Sequence, residues 1–536
     1  MKINLENLAK RGRHQPVLAT NGMAATSQPL ATQAGMHILR QGGNAVDAAI
    51  AIGAALAVVE PNTNSIGGDA FALIWDGEKL HGLNGSGRAP KSLTIDKVRE
   101  RGYDDIPGTG WLPVTVPGAP AMWRDLHDRF GKLPFEEILA PAIAYAEKGY
   151  PPSPVSLAGW TNRVTAHAEL DGPEYDGFMN TYASGGTAPT LGSLWRSEEK
   201  AFTLRRVAET KAADFYTGEI ARMIADFARE TDGFITEEDL AAHTSTWVDP
   251  ISTNYRGYDV WEIPPNGQGI AALVALNILE GFDIGDMARH SPESYHLQIE
   301  AMKLAFADAH RYVADPEHAH VPVEGMLDKA YALERRSLIG ENALDPEPGT
   351  PPGSDTVYFC TADGDGMMVS FIQSAYTNFG SHVVVPGLGF PFQNRGKGFS
   401  LDPNHPNALA PGKRPFHTII PGFLTHEGEA IGPFGVMGGH MQPQGHVQMI
   451  VNTIDHAMDP QGSLDYPRWH WAEGRKVWIE PEAGQDVLDD LLRRGHEVAF
   501  QENRGTFGRG QIIWRLPSGA MIAGSEPRAD GHAAGF

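Results

Sequence analysis

Thr356 and Ser374 are two hydroxyl residues placed where they could do chemistry together. They lie on two β-type runs, "TVYFCT" and "MMVSFIQSAY", separated by "ADGDG". Asp-Gly between such runs signals a hairpin. Two- and three-residue loops put Thr356 opposite Gln373, Ser374 or Ala375, and in every register it lies beside Ser374. A threonine hydroxyl is a poor nucleophile until a base takes its proton. Cutting the bond before Thr356 would free an α-amine with a pKa near ~8, which suits that task near neutral pH. The preceding stretch, "PEPGTPPGSD", is dense in proline and glycine, as a departing tether would be. An interdomain linker followed by an inert hairpin explains the same residues, so the hairpin alone does not decide.

The chain has 536 residues, 41% of them hydrophobic, enough for a sizeable core. A formal charge of −23 argues against nucleic acid and anionic membrane as partners. The single cysteine, Cys360, excludes an internal disulfide and reads as a small buried hydrophobe in an apolar strand. The N-terminal stretch lacks the apolar segment of a signal peptide. The most apolar run, "AVDAAIAIGAALAVVEP", is too short for a bilayer and carries Asp47. A cytoplasmic protein is expected.

The elements that must position the hydroxyl pair are legible in part. Helices are expected through "QPLATQAGMHILRQGG" and "NAVDAAIAIGAALAVVEP", strands at "AFALIWDG" and "KLHGLNGSG", and a mainly helical middle from about 120 to 345. In "SPESYHLQIEAMKLAFADAHRYVADP", Ser291 is a candidate N-cap and Pro292 suits the first helical position. Apolar residues there recur at helical spacing, so one face is expected to be buried. A loose tether runs from about 344 to 355. "GQIIWRLPSGAMIAG" reads as a hairpin.

Several stretches in order, among them "SIGGDAF", "VPGAPAMW", "EAMKLAFADAHRYVADP", "DTVYF", "GKRPFHTIIP", "GVMGGHMQPQGHVQ" and "PRADGHAAG", make the chain resemble the γ-glutamyltransferase (γ-glutamyl transpeptidase, glutathione hydrolase) family of N-terminal-nucleophile hydrolases. The resemblance runs nearly end to end. It implies a four-layer αββα sandwich, no cofactor or metal, and self-cleavage at Asp355–Thr356. Residues 1–355 and 356–536 would become two subunits that stay associated. A homodimer of that processed heterodimer is compatible with it. Thr356 matches the nucleophile and Ser374 a hydroxyl that contacts it. Gly438 and Gly439 match the oxyanion-hole glycines, and Arg88 the arginine that binds the substrate's carboxylate.

The chain departs from the γ-glutamyl pattern at the ammonium-binding positions. The acidic position there aligns with Gly398, a neighbouring amide with Arg395, an upstream asparagine with Tyr376, and paired serines with His417 and Thr418. An unpaired buried ammonium would be costly. The expected partner is therefore a small-molecule amide whose acyl group carries a carboxylate, read by Arg88 and Arg395. This is the acylase or oxamate amidohydrolase-like branch; nearby Asp402 is a candidate replacement acid. A glutathione-type γ-glutamyl hydrolase or transpeptidase is the alternative. An inactive binding homologue or a metal-dependent hydrolase is the alternative from another class. Arg414 either lines the site or braces its loop. His440, His446 and His456 fit no strong metal signature, and "SIGGDAF" lacks the lysine of a phosphate loop and reads as a close-packed turn.

Overall fold

The computed structural model describes residues 14–345 and 355–536. Most of the expected tether, 346–354, lies outside the described residues. Among them, two seven-stranded sheets form the centre of the molecule. The first sheet runs Val17–Ala19, Met521–Ser525, Arg509–Arg515, Glu429–Met437, Gly422–His426, Tyr258–Glu262, Ile251–Tyr255. The second runs His532–Gly535, Gly22–Thr26, Asp355–Asp363, Met368–Tyr376, Asp69–Trp75, Leu80–Asn84, Thr246–Val248. Neighbouring strands in both are antiparallel. Each sheet mixes strands from before and after residue 355.

Side-chain alternation explains the layering. Along Asp355–Asp363, Val357 and Phe359 join one core with the helices Pro29–Arg40 and Ala45–Val59. Tyr358, Cys360 and Ala362 point the other way, into a core shared with Phe423, Ile513 and Ala523 of the first sheet. Successive residues of a strand face opposite sides, so both faces are buried and the run is apolar throughout. A third core covers the outer face of the first sheet with helices Gly269–Leu279, Pro292–Tyr312 and Met441–Ile454. The result is the expected αββα sandwich. Cys360 is buried, as its sequence context suggests, and burial pushes its thiol pKa up.

Helix Ala45–Val59 is buried at every position. Asn44 accepts from the Asp47 N–H while Asp47 accepts from the Asn44 N–H, a reciprocal cap. The long helix begins at Pro292 as expected, but the Ser291 side chain makes no capping bond. Its burial also exceeds one apolar face. Glu300 and Lys303 are fully buried and joined at 2.8 Å. Lys303 Nζ also donates to Leu344 O (3.0 Å), and Leu344 N donates to Glu300 Oε2 (2.8 Å). This pair fixes the chain where it approaches the tether. His296 and His496 lie beside Glu300 with ligand-like spacing, but Lys303 already neutralises that carboxylate. Removing one partner of a buried pair strands a charge. Lys303→Met is therefore expected to destabilise the protein by about 3–5 kcal/mol, read as a lowered midpoint in urea unfolding.

Candidate active site

Thr356 and Ser374 meet at the open end of the hairpin. The strands pair Cys360 with Ser370 and Ala362 with Met368, closing a three-residue loop at Gly364–Gly366. Near Thr356 the register shifts: Val357 faces Gln373, whereas Asp355 faces Tyr376. Ser374 and Ala375 thus share the place opposite Thr356, a β-bulge of the kind that re-aims a side chain. Thr356 Oγ1 stands 3.1 Å from Ser374 Oγ, and both residues are buried. By alternation, Thr356 has the parity of Tyr358 and faces the first sheet.

Ser374 Oγ is fixed by its surroundings. It accepts from Tyr376 N (2.8 Å) and from Arg395 Nη2 (3.3 Å). Arg395 Nη1 donates to Thr418 Oγ1 at 2.6 Å. The guanidinium carbon lies 3.9 Å from the centroid of the Tyr376 ring, a cation–π contact. Tyr376 holds a positive φ of 80°, a conformation unusual for an aromatic residue. Arg395 is 1% exposed, and its Nε–H has no hydrogen-bond partner among the described residues. Burial lowers its pKa to about 10, while Tyr376 and Asp69 resist the fall. It remains charged at neutral pH.

Asp69 escaped the sequence reading, which took "SIGGDAF" as a packed turn only. Gly67 and Gly68 do pack closely: a Cβ on Gly68 would sit 2.5 Å from Ser374 O. The next residue does more. Asp69 opens the strand Asp69–Trp75 directly opposite Ser374 and is fully buried. Its Oδ1 accepts from Gly87 N at 3.0 Å, and its Oδ2 lies 3.1 Å from His417 Nε2. Burial raises its pKa to about 7 against the pull of Gly87 N–H and Arg395. Burial, then Arg395 and Arg414, holds the His417 pKa well below its ordinary value. The imidazole is neutral and donates through Nε2 to Asp69, while Ile419 N donates to Nδ1 (3.4 Å). The available signal was a lone carboxylate heading an apolar strand.

Gly438 and Gly439 join Glu429–Met437 to the helix Met441–Ile454, with φ values of 127° and 61°. Positive φ favours glycine. Neither N–H has a backbone acceptor among the described residues. Gln268 Nε2 donates to both Thr418 O (2.6 Å) and Gly439 O (2.8 Å), tying this turn to the residue that holds Arg395. Gly435 passes so near Tyr358 that a Cβ would stand 2.5 Å from its ring. That close approach brings the strand before the glycine pair over the strand Asp355–Asp363.

Arg88 is 29% exposed and occupied by a different cluster: Nη2 donates to Glu317 Oε1 (2.7 Å) and Nη1 to Gly412 O (3.1 Å), with Asp315 at 3.6 Å. Arg414 joins this cluster and braces its loop, donating through Nε to Ser86 O and through its backbone N to Asp315. Asp402 lines a neighbouring cavity and caps its own turn by accepting from Asn404 N. The cavity that contains Gly398 adjoins it at His310 and His405, measures about 360 Å³, and its walls include Tyr376, Lys397, Phe416 and His440. His446 is held by Glu262 inside the core.

A model of the family described as gamma-glutamyltranspeptidase matches residues 31–536. The chain belongs to that family. Among its gamma-glutamyltranspeptidase relatives, the glutathione hydrolase-like YwrD proenzyme of Bacillus subtilis (strain 168) is 36% identical, with 98% of this chain and 100% of that protein aligned. The oxamate amidohydrolase proenzyme of Klebsiella pneumoniae is 34% identical over 98% of this chain and 100% of its own. The crystal structure of a cephalosporin acylase from Bacillus halodurans is 55% identical, covers 98% of each chain and superposes with a TM-score of 0.95. The first two of these relatives are named as proenzymes.

Proposed function

We propose that this chain is a self-processing amide hydrolase of the acylase or oxamate amidohydrolase-like branch. Thr356 cuts the chain at Asp355–Thr356 and then attacks the amide of a carboxylate-bearing acyl donor. The contact of Thr356 with Ser374, held from below by the buried Arg395, carries this reading. Cleavage converts the Thr356 backbone nitrogen into an amine. That amine takes the Oγ1 proton as the oxygen bonds to the substrate's carbonyl carbon. The N–H groups of Gly438 and Gly439 stabilise the oxyanion. The C–N bond breaks, the proton passes to the departing amine, and an ester remains on Thr356. Water, or an amine acceptor, resolves that ester. With a base of pKa near ~8, kcat/KM falls as pH drops below that value.

Substrate choice follows from the walls. Gly398 stands where an acid would pair with an α-ammonium, and Lys397 and neutral imidazoles share its cavity. Arg395 adds a buried cation with a spare N–H. Such a site favours an acyl group that ends in a carboxylate and lacks the amine. Arg88 becomes a second carboxylate contact once Glu317 yields it. The processed protein should hydrolyse a glutaryl anilide at least about tenfold better, in kcat/KM, than the γ-glutamyl anilide, a difference of ~1.4 kcal/mol. A strong preference for the γ-glutamyl compound overturns this choice and favours glutathione-type hydrolysis.

The oxyanion assignment has its own test. Gly438→Ala adds a Cβ at a φ of 127°, with Gly508 Cα 3.1 Å away. The turn must shift, and the loss expected is about 10²–10³-fold in kcat with little change in KM. An equal loss confined to KM would place Gly438 in binding instead.

A further inference from the structure

We propose that Asp69 is the counter-ion that Arg395 exchanges for the substrate's carboxylate, so that a carboxylate-bearing acyl donor binds together with one proton taken up by Asp69. This rests on the reading above, in which Arg395 receives that carboxylate.

The placement comes first. Asp69 is sealed from solvent and lies across the strand pair from Ser374, the residue that Arg395 touches. Both its oxygens are held, Oδ1 by Gly87 N–H and Oδ2 by His417 Nε2. The groups that face it come from several elements. Arg395 lies on the short turn Arg395–Gly398, His417 and Arg414 on the segment that follows, and Tyr216 on the helix Ala213–Thr217. Gly87 N–H comes from the loop after Leu80–Asn84. His417 is neutral, and burial pushes the Tyr216 pKa up, so it is neutral also. The Arg414 guanidinium donates to the Ser86 carbonyl, lies 3.8 Å from Glu317 and is offset by Asp315 and Glu317 ahead of Asp69. Arg395 is thus the partner that compensates Asp69.

The charge balance then dictates the coupling. In the resting site the Asp69 carboxylate offsets Arg395, which would otherwise be an unpaired buried cation. A substrate carboxylate at Arg395 places a second anion beside the first in a dry interior. Two carboxylates that share a site do not both stay ionised, and one takes a proton. Asp69, raised by burial to about 7, takes it at small cost near neutral pH. The proton comes from solvent and returns there when the acyl product leaves. Ligand and proton therefore bind with positive coupling.

The test measures KM and kcat from about pH 5.5 to about 9. It compares a glutaryl anilide with its neutral amide-capped counterpart, in the processed wild type and in Asp69→Asn. The expected wild-type KM for the carboxylate substrate rises above pH ~7, approaching tenfold per pH unit, while that of the neutral substrate stays flat. Asp69→Asn removes the rise. Because the amine of Thr356 acts on kcat for both substrates, its titration does not mimic this pattern. Should Asp69→Asn fail to process, calorimetric titration of the wild type with glutarate in two buffers of different ionisation enthalpy decides. About one proton taken up near pH ~8 supports the coupling, and no uptake overturns it. A carboxylate preference without a pH-dependent KM, or a slope that survives in Asp69→Asn, also overturns it. Equal KM values for the two substrates at every pH sink the carboxylate reading itself, and the exchange with it.

Discussion

Thr356→Ala leaves one uncut chain whose amide hydrolysis falls on the order of 10⁴–10⁶-fold in kcat. The magnitude follows from the double use of one oxygen. The same Oγ1 attacks first the Asp355 carbonyl and then the substrate, so its removal abolishes both maturation and acyl-enzyme formation. Thr356→Ser keeps a hydroxyl where Thr356 Oγ1 meets Ser374, in a site whose bulge and hydrogen bonds are set by other residues. It should still cut itself, more slowly, because the lost γ-methyl helps hold the rotamer. Denaturing electrophoresis over a time course distinguishes the two variants. Processing of Thr356→Ala at the wild-type rate would show that the nucleophile lies elsewhere.

Arg395→Met should cost about 10²–10³-fold in kcat/KM on carboxylate substrates, in line with the 2–5 kcal/mol that a buried charge pair loses with one partner. The neutral counterpart should lose less, since for it the change removes the bonds to Ser374 and Thr418 and the contact with Tyr376 but no charge pair with the substrate. The split between the two substrates is the informative quantity. Arg395→Lys should not restore the carboxylate preference. An ammonium cannot reproduce a planar guanidinium that bonds Thr418 and Ser374 while it lies against the Tyr376 ring. Stability carries a second signature. Arg395→Met strands the Asp69 carboxylate, so adding Asp69→Asn should recover part of the lost stability, a coupling expected between two buried groups that act on each other electrostatically. Strict additivity of the two changes would show that they do not form a pair.

The sequence made the hairpin legible because its signals are local. Asp-Gly at the turn and alternating apolar residues fix the strands, and the close-set hydroxyls meet in every register. It did not reveal the register shift that sets Ser374 and Ala375 opposite Thr356, since a bulge depends on what lies beside the strand end. The buried helix "NAVDAAIAIGAALAVV" was legible from its uniform apolarity. The burial of Glu300 and Lys303 was not, because a charged pair at i and i+3 usually marks a solvated face. Here Leu344 satisfies both groups. At the site, Arg395, Thr418, Tyr376 and His417 do gather beside Ser374. Arg88 differs, because its contacts with Glu317 and Asp315 join parts of the chain more than two hundred residues apart. Asp69 was missed for a similar reason. One acidic residue next to "SIGG" looks like turn polarity until a second strand, an arginine and an imidazole close around it.

The most direct test of the account is the intact mass and N-terminal sequence of the freshly purified protein. The account predicts two associated fragments, 1–355 and 356–536, the smaller beginning with Thr356. A single chain that stays intact on incubation, or a cut that leaves another residue first, would contradict it.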